Sequence, residues 1–170
     1  FDKHYRKICC IDFSIDSLLF NKRNNKNSLE NVFWITSDIS KLHFEHNSFD
    51  LVVASDFIQH INGYKRKLEI IKNLTDSLKP KGGFYLSFFN FNILHYVKDD
   101  RIGEFDGIKY ERLLLSEVEN VIVDKIKINS IIFQIFHVHW LDKFLSKFKI
   151  FRYFARWTII YGEKIETKTN

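Results

Sequence analysis

The sequence predicts an α/β fold, in which a sheet built from crossover units carries helices on its faces. Two observations predict it: short apolar runs alternate with amphipathic helical stretches, and several of the apolar runs end in an acid or a serine. One proline and 6 glycines in 170 residues argue against a disordered or fibrous chain. We therefore expect a single domain over residues 1–170.

Two short strands and a helix are expected in the first forty residues. A buried strand over residues 7–11 ends at Asp12, and Ser14 can cap the N-terminus of a helix that runs to about residue 24. Residues 32–36 form a second strand, rich in β-branched and aromatic side chains. Polar residues follow both strands at their carboxyl ends.

A strand, a helix and another strand follow. Residues 51–54 form an apolar strand that the chain enters through Phe49-Asp50. From residue 64 to residue 78, leucine and isoleucine recur at three- and four-residue spacing, which predicts an amphipathic helix ended by Pro80 and Gly82-Gly83. The next strand is expected at residues 84–89.

The last third of the chain has a weaker pattern. We expect a polar, charged loop over residues 98–109, followed by a short helix at 115–121 and a strand at 125–136. A helix over residues 138–148 and a last strand at 158–162 complete the predicted order.

Cysteine and histidine indicate neither a disulfide nor a metal site. Cys9 and Cys10 are adjacent, so their side chains would point to opposite faces of a strand, and we expect two buried free thiols. His137 and His139 would share a strand face, but no third ligand lies nearby in the sequence. We therefore expect no bound metal.

The chain is basic, with a formal net charge of +5 and a pI near 9.1. Its lysines are scattered among Asn and Ile, whereas nucleic-acid-binding proteins usually gather their charge on one face, so no nucleic-acid partner is expected. No apolar run approaches the roughly 20 residues that span a bilayer, and no signal peptide opens the sequence. We expect a soluble, cytoplasmic protein.

Three polar strand ends are candidates for a ligand site. In an open parallel α/β sheet, ligands bind at the carboxyl ends of the strands, so Asp12, Asp38 and Ser55-Asp56 should line one rim. An ionised carboxylate can accept hydrogen bonds from the two vicinal hydroxyls of a ribose, which suits Asp12. The alternative for Asp12 is local electrostatic stabilisation of the helix that follows it.

Several motifs in this order resemble those of the class I S-adenosylmethionine-dependent methyltransferases, and in particular of the type 11-like small-molecule enzymes. They are ICCIDFS, WITSD, SFDLVVAS and, about thirty residues on, LKPKGG. The resemblance covers about half of the chain. It implies a Rossmann-like three-layer sandwich, with a mostly parallel sheet and an antiparallel last strand. Residues 1–90 would form the cofactor-binding core, and residues 91–170 the acceptor-side and C-terminal elements.

The resemblance assigns the adenosine half of S-adenosyl-L-methionine to the first two strand ends. Asp12 would hold the ribose and Phe13 would lie against the adenine, although an aromatic residue at a strand end is as often part of the core. Asp38 would accept a hydrogen bond from the exocyclic amine of adenine, with the backbone N–H of Ile39 aimed at a ring nitrogen. The alternative for Asp38 is a loop cap.

Ser55, Asp56 and Phe57 would lie beside the methionine half of the cofactor, near the sulfonium. Carboxylates and carbonyls suit this cation. The alternative for Asp56 is the N-cap of a short helix. His60, in the sequence Gln59-His60-Ile61, is the candidate general base, and its alternative is packing under the substrate loop.

The first strand and the glycine-rich loop of this family are not found in the sequence. Only eleven residues precede Asp12, and none of them is glycine. We expect the chain to be the C-terminal part of a methyltransferase domain, with residues 1–6 as the tail of its first helix. The missing strand would be central in the sheet, so these 170 residues alone are expected to bind the cofactor poorly.

Residues 133–157 are the best indication of the acceptor, because they are rich in Phe and Trp and also basic. We expect an amphipathic helix packed on the sheet or, alternatively, peripheral membrane contact through residues 138–157. The predicted function is methyl transfer to the oxygen, carbon or nitrogen of a small molecule, which could be lipophilic or quinone-like. The alternatives are a noncatalytic methyltransferase-like interaction module and a basic nucleic-acid methyltransferase.

Overall fold

The computed structural model describes residues 7–24, 31–136 and 139–166. The chain divides into two compact units, Phe1–His43 and Phe44–Asn170, and each is described by itself. The predicted helix tail at residues 1–6 and the predicted strand position of His137 lie outside the described residues. The prediction of a single domain over residues 1–170 stays a prediction.

Unit 1 contains two parallel strands and one helix. They are β1 (Ile8–Asp12), α1 (Ile15–Asn24) and β2 (Val32–Thr36). β1 pairs with β2, and Asp12 and Thr36 are partners at the carboxyl ends of the two strands. The Ser14 hydroxyl accepts a hydrogen bond from the Ser17 N–H at 3.2 Å, so the predicted N-cap is confirmed.

β1 is not the fully buried strand that was predicted. Cys9 is exposed and Cys10 is half-buried, and both thiols are free. A two-stranded sheet with one helix buries little apolar surface, and Leu18 is the buried side chain of α1. The alternation of the two thiols is as expected, but the prediction that both are buried is wrong.

Unit 2 carries most of the secondary structure. Its elements in chain order are β3 (Phe49–Ala54), α2 (Tyr64–Ser77), β4 (Leu78–Phe89), α3 (Ile93–Lys98), β5 (Ile102–Phe105), β6 (Ile108–Glu111), α4 (Leu115–Ile122), β7 (Ile126–Gln134), α5 (His139–Leu145) and β8 (Trp157–Lys164). Short 3₁₀ turns lie at Ile58–His60 and Lys149–Tyr153.

The main sheet of unit 2 has the strand order β3-β4-β8-β7. β3 and β4 are parallel, and β8 runs antiparallel to both of its neighbours. The last strand is therefore antiparallel, as the resemblance implied, and it lies inside the sheet. β3 has β4 as its one partner among the described strands.

β4 begins earlier than predicted. α2 ends at Ser77, and Pro80 follows two residues after the C-cap Leu78, where a proline prevents the helix from continuing. The glycine pair does not form a separate turn, because it lies within β4, where the register to β3 shifts. A Cβ at Gly82 would lie 2.8 Å from the Lys79 carbonyl oxygen, so this irregularity needs glycine.

The predicted loop over residues 98–109 is wrong, because β5 and β6 form an antiparallel hairpin there. Phe105 pairs with Ile108 across a two-residue turn in which Asp106 and Gly107 both have positive φ, 51° and 77°. An Asp-Gly pair of this kind makes the type I′ turn of tight hairpins. α3 is a further element that the sequence did not predict.

The core of unit 2 lies between its sheet and the helices α2 and α4. Buried side chains include Ile71, Leu74, Leu86, Phe88, Val118, Ile122 and Ile160. The predicted apolar face of α2 is shifted, because Leu68 is only half-buried and Lys67 is fully buried. Lys67 Nζ donates to Glu111 Oε2 at 2.6 Å and to the Ile61 carbonyl oxygen. The buried charge is therefore paired, as burial of an ammonium requires.

The C-terminal elements follow the predicted order with shifted ends. α4 and β8 each extend at least one residue beyond their predicted ranges, whereas β7 is shorter at both ends. α5 ends at Leu145, before the predicted limit of residue 148. In the described parts of the chain, no helix is long and apolar enough to cross a membrane.

Candidate functional site

The parallel pairing of unit 1 brings two predicted site residues to the same edge. Because Asp12 and Thr36 are register partners, the residues after each strand leave the sheet side by side. The Ser37 N–H donates to the Asp12 carbonyl oxygen at 3.0 Å, which joins the end of β1 to the residue just before Asp38. Asp12 and Asp38 therefore lie at one edge of the β1-β2 sheet.

Asp12 is half-buried, and its side chain has a local role. Oδ1 accepts a hydrogen bond from the Ser14 N–H at 2.8 Å, close to the start of α1. A carboxylate has about four acceptor positions, so one such bond leaves capacity for a diol. Phe13 is 80% exposed, which rules out the alternative that it belongs to the core.

Asp38 caps the turn that follows it. Oδ1 accepts hydrogen bonds from the Ser40 N–H at 3.0 Å and from the Ser40 hydroxyl at 2.6 Å. The loop-cap interpretation of Asp38 is therefore confirmed, and it is compatible with a second role for the same carboxylate. Ile39 is the first residue of the 3₁₀ turn, where backbone N–H groups have no acceptor within the turn.

Asp56 is the most tightly held of the predicted site residues, and it lies in unit 2 just after β3. Its Oδ1 accepts from Ser87 Oγ at 2.5 Å and from Trp157 Nε1 at 2.8 Å. Oδ2 accepts from Ser55 Oγ at 3.2 Å, and the Asp56 N–H donates to Ser87 Oγ at 3.0 Å. These contacts fix a carboxylate at the carboxyl edge of the unit 2 sheet.

The backbone at Asp56 has the left-handed conformation, with φ of 54°. A non-glycine residue adopts this region at a cost, and the four hydrogen bonds explain how it is maintained here. The alternative that Asp56 caps the following helix is wrong. The N-cap of the 3₁₀ turn is Phe57, which makes no side-chain capping bond.

His60 is exposed at the end of the same 3₁₀ turn. Its Nδ1 lies 3.4 Å from the Lys109 carbonyl oxygen, on the β5-β6 hairpin. When Nδ1 donates to that carbonyl, Nε2 is the basic nitrogen. The ring therefore borders the hairpin and is not packed beneath a loop.

A small cavity opens beside this turn. Its volume is about 130 Å³, enough for one functional group of a ligand and a few waters. Gln59 in its wall is buried, and Oε1 of that side chain has no hydrogen-bond partner in the described part of the chain. The lining residues are Gln59, Ile61, Asn62, Gly63, Ile102, Lys109, Tyr110 and Glu111.

Two residues of this region were missed by reasoning from sequence. Ser87 is a buried polar residue inside the apolar run FYLSFF, and that isolation was a signal that could have been used. Trp157 lies 101 residues beyond Asp56, so no local pattern connects them.

The described residues contain no group of three or more His, Cys, Asp or Glu that could hold a metal ion.

Residues 1–86 match a family model described as a methyltransferase domain. The match spans half of the 170 residues and includes all eight predicted site residues. The chain belongs to this methyltransferase family. The predicted class I methyltransferase domain is therefore confirmed, and with it S-adenosyl-L-methionine as the cofactor.

Solved structures of methyltransferases have the same fold. A protein from Listeria monocytogenes assigned to the S-adenosylmethionine-dependent methyltransferases is 17% identical, with a TM-score of 0.70, and the alignment covers 95% of this chain and 81% of that one. One from Methanosarcina mazei is 15% identical, with a TM-score of 0.67 and coverages of 95% and 83%. The N-methyltransferase NodS from Bradyrhizobium japonicum, in complex with S-adenosyl-L-homocysteine, is 12% identical, with a TM-score of 0.67 and coverages of 96% and 69%.

These similarities confirm the predicted Rossmann-like α/β fold of the methyltransferase family. No curated protein sequence matches the chain.

The chemistry of the predicted cofactor residues of the methyltransferase fits S-adenosyl-L-methionine. The ribose hydroxyls and the adenine amine are donors, and Asp12 and Asp38 offer acceptor-only carboxylates. The sulfonium is a cation, and Asp56 offers a fixed anion. Which residues hold the cofactor stays a prediction.

Proposed function

We propose that this methyltransferase transfers the methyl group of S-adenosyl-L-methionine to the oxygen, nitrogen or carbon of a small-molecule acceptor. One observation carries the proposal beyond family membership. The carboxylates of Asp12 and Asp38 lie at the carboxyl ends of two paired parallel strands, and a backbone hydrogen bond from the Ser37 N–H to the Asp12 carbonyl oxygen joins the two ends. Ligands of open α/β sheets bind at such an edge.

Unit 1 recognises the adenosine moiety in this proposal. Asp12 accepts from the ribose hydroxyls and Asp38 from the adenine amine, while the N–H of Ile39 donates to a ring nitrogen. The ring of Phe13 is exposed and can lie against the adenine face. The local hydrogen bonds of Asp12 and Asp38 orient the carboxylates before a ligand binds.

We assign Ser55, Asp56 and Phe57, which follow β3, to the methionine moiety. When bound, the cofactor supplies a methyl group on a positively charged sulfur. A fixed carboxylate such as Asp56 stabilises that charge without having to reorganise. Because methyl transfer depends on the alignment of donor and acceptor, the hydrogen bonds that hold Asp56 in place serve to position the donor.

His60 is proposed as the general base for acceptors that must lose a proton. It is exposed, so an acceptor can reach its ring. Its contact with the Lys109 carbonyl orients the ring and leaves Nε2 to accept the proton. An acceptor that is already nucleophilic would not need His60. A lipophilic or quinone-like acceptor is favoured because Tyr153 and Phe154, a few residues before Trp157 in the sequence, expose large apolar side chains.

The test is calorimetric titration of S-adenosyl-L-homocysteine into the full-length product of the gene, with Asp38→Ala alongside. A hydrogen bond to a charged group contributes about 1.5–3 kcal/mol, so we expect Asp38→Ala to weaken binding roughly tenfold to a hundredfold. Ser40→Ala is the matched control, because it removes the hydroxyl that Asp38 accepts from but keeps the carboxylate. It should bind nearly as the wild type does.

Absence of binding in a folded full-length protein would contradict the proposal and favour the noncatalytic interaction module. Equal losses of S-adenosyl-L-homocysteine affinity in Asp38→Ala and Ser40→Ala would mean that Asp38 acts only by capping the turn.

A further inference from the structure

We propose that the segment between β7 and β8 docks on the surface of an anionic lipid bilayer. We call residues 135–156, of which the structure describes 135–136 and 139–156, the aromatic-basic connection. It contains α5 and the 3₁₀ turn Lys149–Tyr153. Three independent properties support this docking surface: the exposure of its apolar side chains, the sign of its charge and its place in the fold.

Large apolar side chains are exposed along the aromatic-basic connection. Trp140 is 71% exposed and Ile150 63%. Single exposed apolar residues are normal, whereas a contiguous group marks an interaction site. Three rings of the segment are contiguous, because those of the exposed Phe144 and Phe148 are 5.7 Å apart, and those of Phe148 and the half-buried Phe151 are 6.3 Å apart. Further exposed members are Phe136, Tyr153 and Phe154.

The charge of the connection is almost entirely positive. Five of the chain's 26 Lys and Arg residues lie in it, but only one of its 21 Asp and Glu residues, so it carries +4 of the net +5. The single acid, Asp142, is 1% exposed, and its Oδ1 accepts from the N–H groups of Ile135 and Phe136. Lys143, Lys147 and Arg156 are exposed. The outer surface is therefore cationic as well as apolar.

An anionic bilayer matches this combination better than the other occupants. Interfacial segments insert Trp and Phe at the headgroup level while Lys and Arg attract anionic lipids. A second copy of the chain would bring two cationic surfaces together. Single-stranded nucleic acid needs open ring faces for stacking, and here the Phe144, Phe148 and Phe151 rings pack edge to face.

The connection starts and ends beside the fixed carboxylate of unit 2. The Arg156 N–H donates to the Gln134 carbonyl oxygen at 3.1 Å, and the next residue, Trp157, donates to Asp56. Asn90, just after β4, donates to the carbonyls of Arg152 and Ala155 and so anchors the connection to the sheet. If the proposed function holds, a lipophilic acceptor dissolved in the bilayer reaches this edge directly.

The experiment measures vesicle binding of the full chain, without cofactor or acceptor, so its outcome is separate from that of the cofactor titration. Vesicles of phosphatidylcholine alone are compared with an equal mixture of phosphatidylcholine and phosphatidylglycerol by flotation. The variants are Lys143→Glu with Lys147→Glu, and Phe144→Ser with Phe148→Ser. All four side chains are exposed, so the fold should tolerate both pairs, which circular dichroism checks.

Matched controls carry the same changes elsewhere on unit 2. Lys65→Glu with Lys72→Glu reverses two exposed charges on α2, and Val123→Ser removes an exposed apolar side chain after α4. We expect binding to the anionic vesicles only. The Lys143→Glu and Lys147→Glu pair should weaken it roughly 30-fold or more, since each basic residue near such a surface contributes about 1 kcal/mol. The Phe pair should also weaken binding, and both controls should bind as the wild type does.

Three results would overturn the docking proposal. The first is no binding of the folded wild type to anionic vesicles. The second is an equal loss of binding in the control variants, which would mean that net charge alone is responsible. The third is binding of a single-stranded RNA oligonucleotide, lost in the Lys143→Glu and Lys147→Glu pair, by a protein that leaves the vesicles unbound.

Discussion

The indole N–H of Trp157 donates to the carboxylate of Asp56 at 2.8 Å, across 101 residues of sequence. Ser87 on β4 donates to the same oxygen. Three neighbouring strands therefore meet at this carboxylate: Asp56 follows β3, Ser87 lies within β4, and Trp157 is the first residue of β8. The position of Asp56 depends on the pairing of the sheet and not only on its own loop.

Replacing Trp157 with phenylalanine tests how much the hydrogen bond to Asp56 contributes to stability. Trp157→Phe keeps a ring against Phe89, whose centroid lies 4.4 Å from that of Trp157, but removes the donor to Asp56. We expect the free energy of unfolding to fall by about 1–2 kcal/mol, since the acceptor is charged and the bond is partly exposed. Urea denaturation measures it. Trp140→Phe, at an exposed indole, is the control and should change little; equal midpoints for both variants would contradict the prediction.

Lys67 should be one of the most sensitive positions of unit 2. Lys67→Met keeps the length of the side chain but leaves the half-buried carboxylate of Glu111 without its 2.6 Å partner. Breaking a buried pair in this way costs about 3 kcal/mol or more, although Arg101 lies 3.5 Å from Glu111 and offsets part of the loss.

The control for Lys67 is Lys65→Met on the exposed side of the same helix. Thermal and urea unfolding should separate the two variants clearly. The double variant Lys67→Met with Glu111→Gln should recover part of the stability, because no uncompensated charge remains. A double variant that is less stable than Lys67→Met alone would argue against the pair as the source of the effect.

Stability at high pH should depend on Tyr161. Burial, and secondarily the neighbouring Tyr85, raise the pKa of Tyr161 above its usual value of 10.0. The folded protein therefore keeps this proton at a pH where the unfolded chain has lost it, so the free energy of unfolding falls as the pH rises above 10. Tyr161→Phe should show a shallower decline in that range and a constant offset from the wild type below it. Parallel profiles of the two proteins through pH 10–11 would contradict the assigned shift.

Local patterns predicted those parts of the fold that depend on neighbours in sequence. β2 has the predicted bounds, and Ser14, the residue before α1, caps that helix as expected. The edge that carries Asp12 and Asp38 was predictable because parallel strands end together, Asp12 is the last residue of β1, and Asp38 comes two residues after β2. Each of these features was predicted from a few residues that are close together in the sequence.

The remaining features depend on contacts that a local pattern does not contain. The burial of Lys67 is stabilised by Glu111, which is 44 residues away, so no pattern local to α2 predicts it. The β5-β6 hairpin did have a local signal in Asp106-Gly107, but the many charges around it indicated a loop. The bonds of Asp56 needed the order of the strands, which spacing alone does not determine.

The place of β8 in the sheet has a consequence for the synthesis of the protein. β8 is the last of the described strands in sequence, yet it lies between β4 and β7, and β7 has no other partner among those strands. While residues 157–164 are still on the ribosome, β7 has nothing to pair with and β4 keeps an open edge. Open edges are templates for aggregation. The sheet of unit 2 can therefore be completed only after residues 157–164 have been synthesised, and the nascent chain is exposed to misassembly until then.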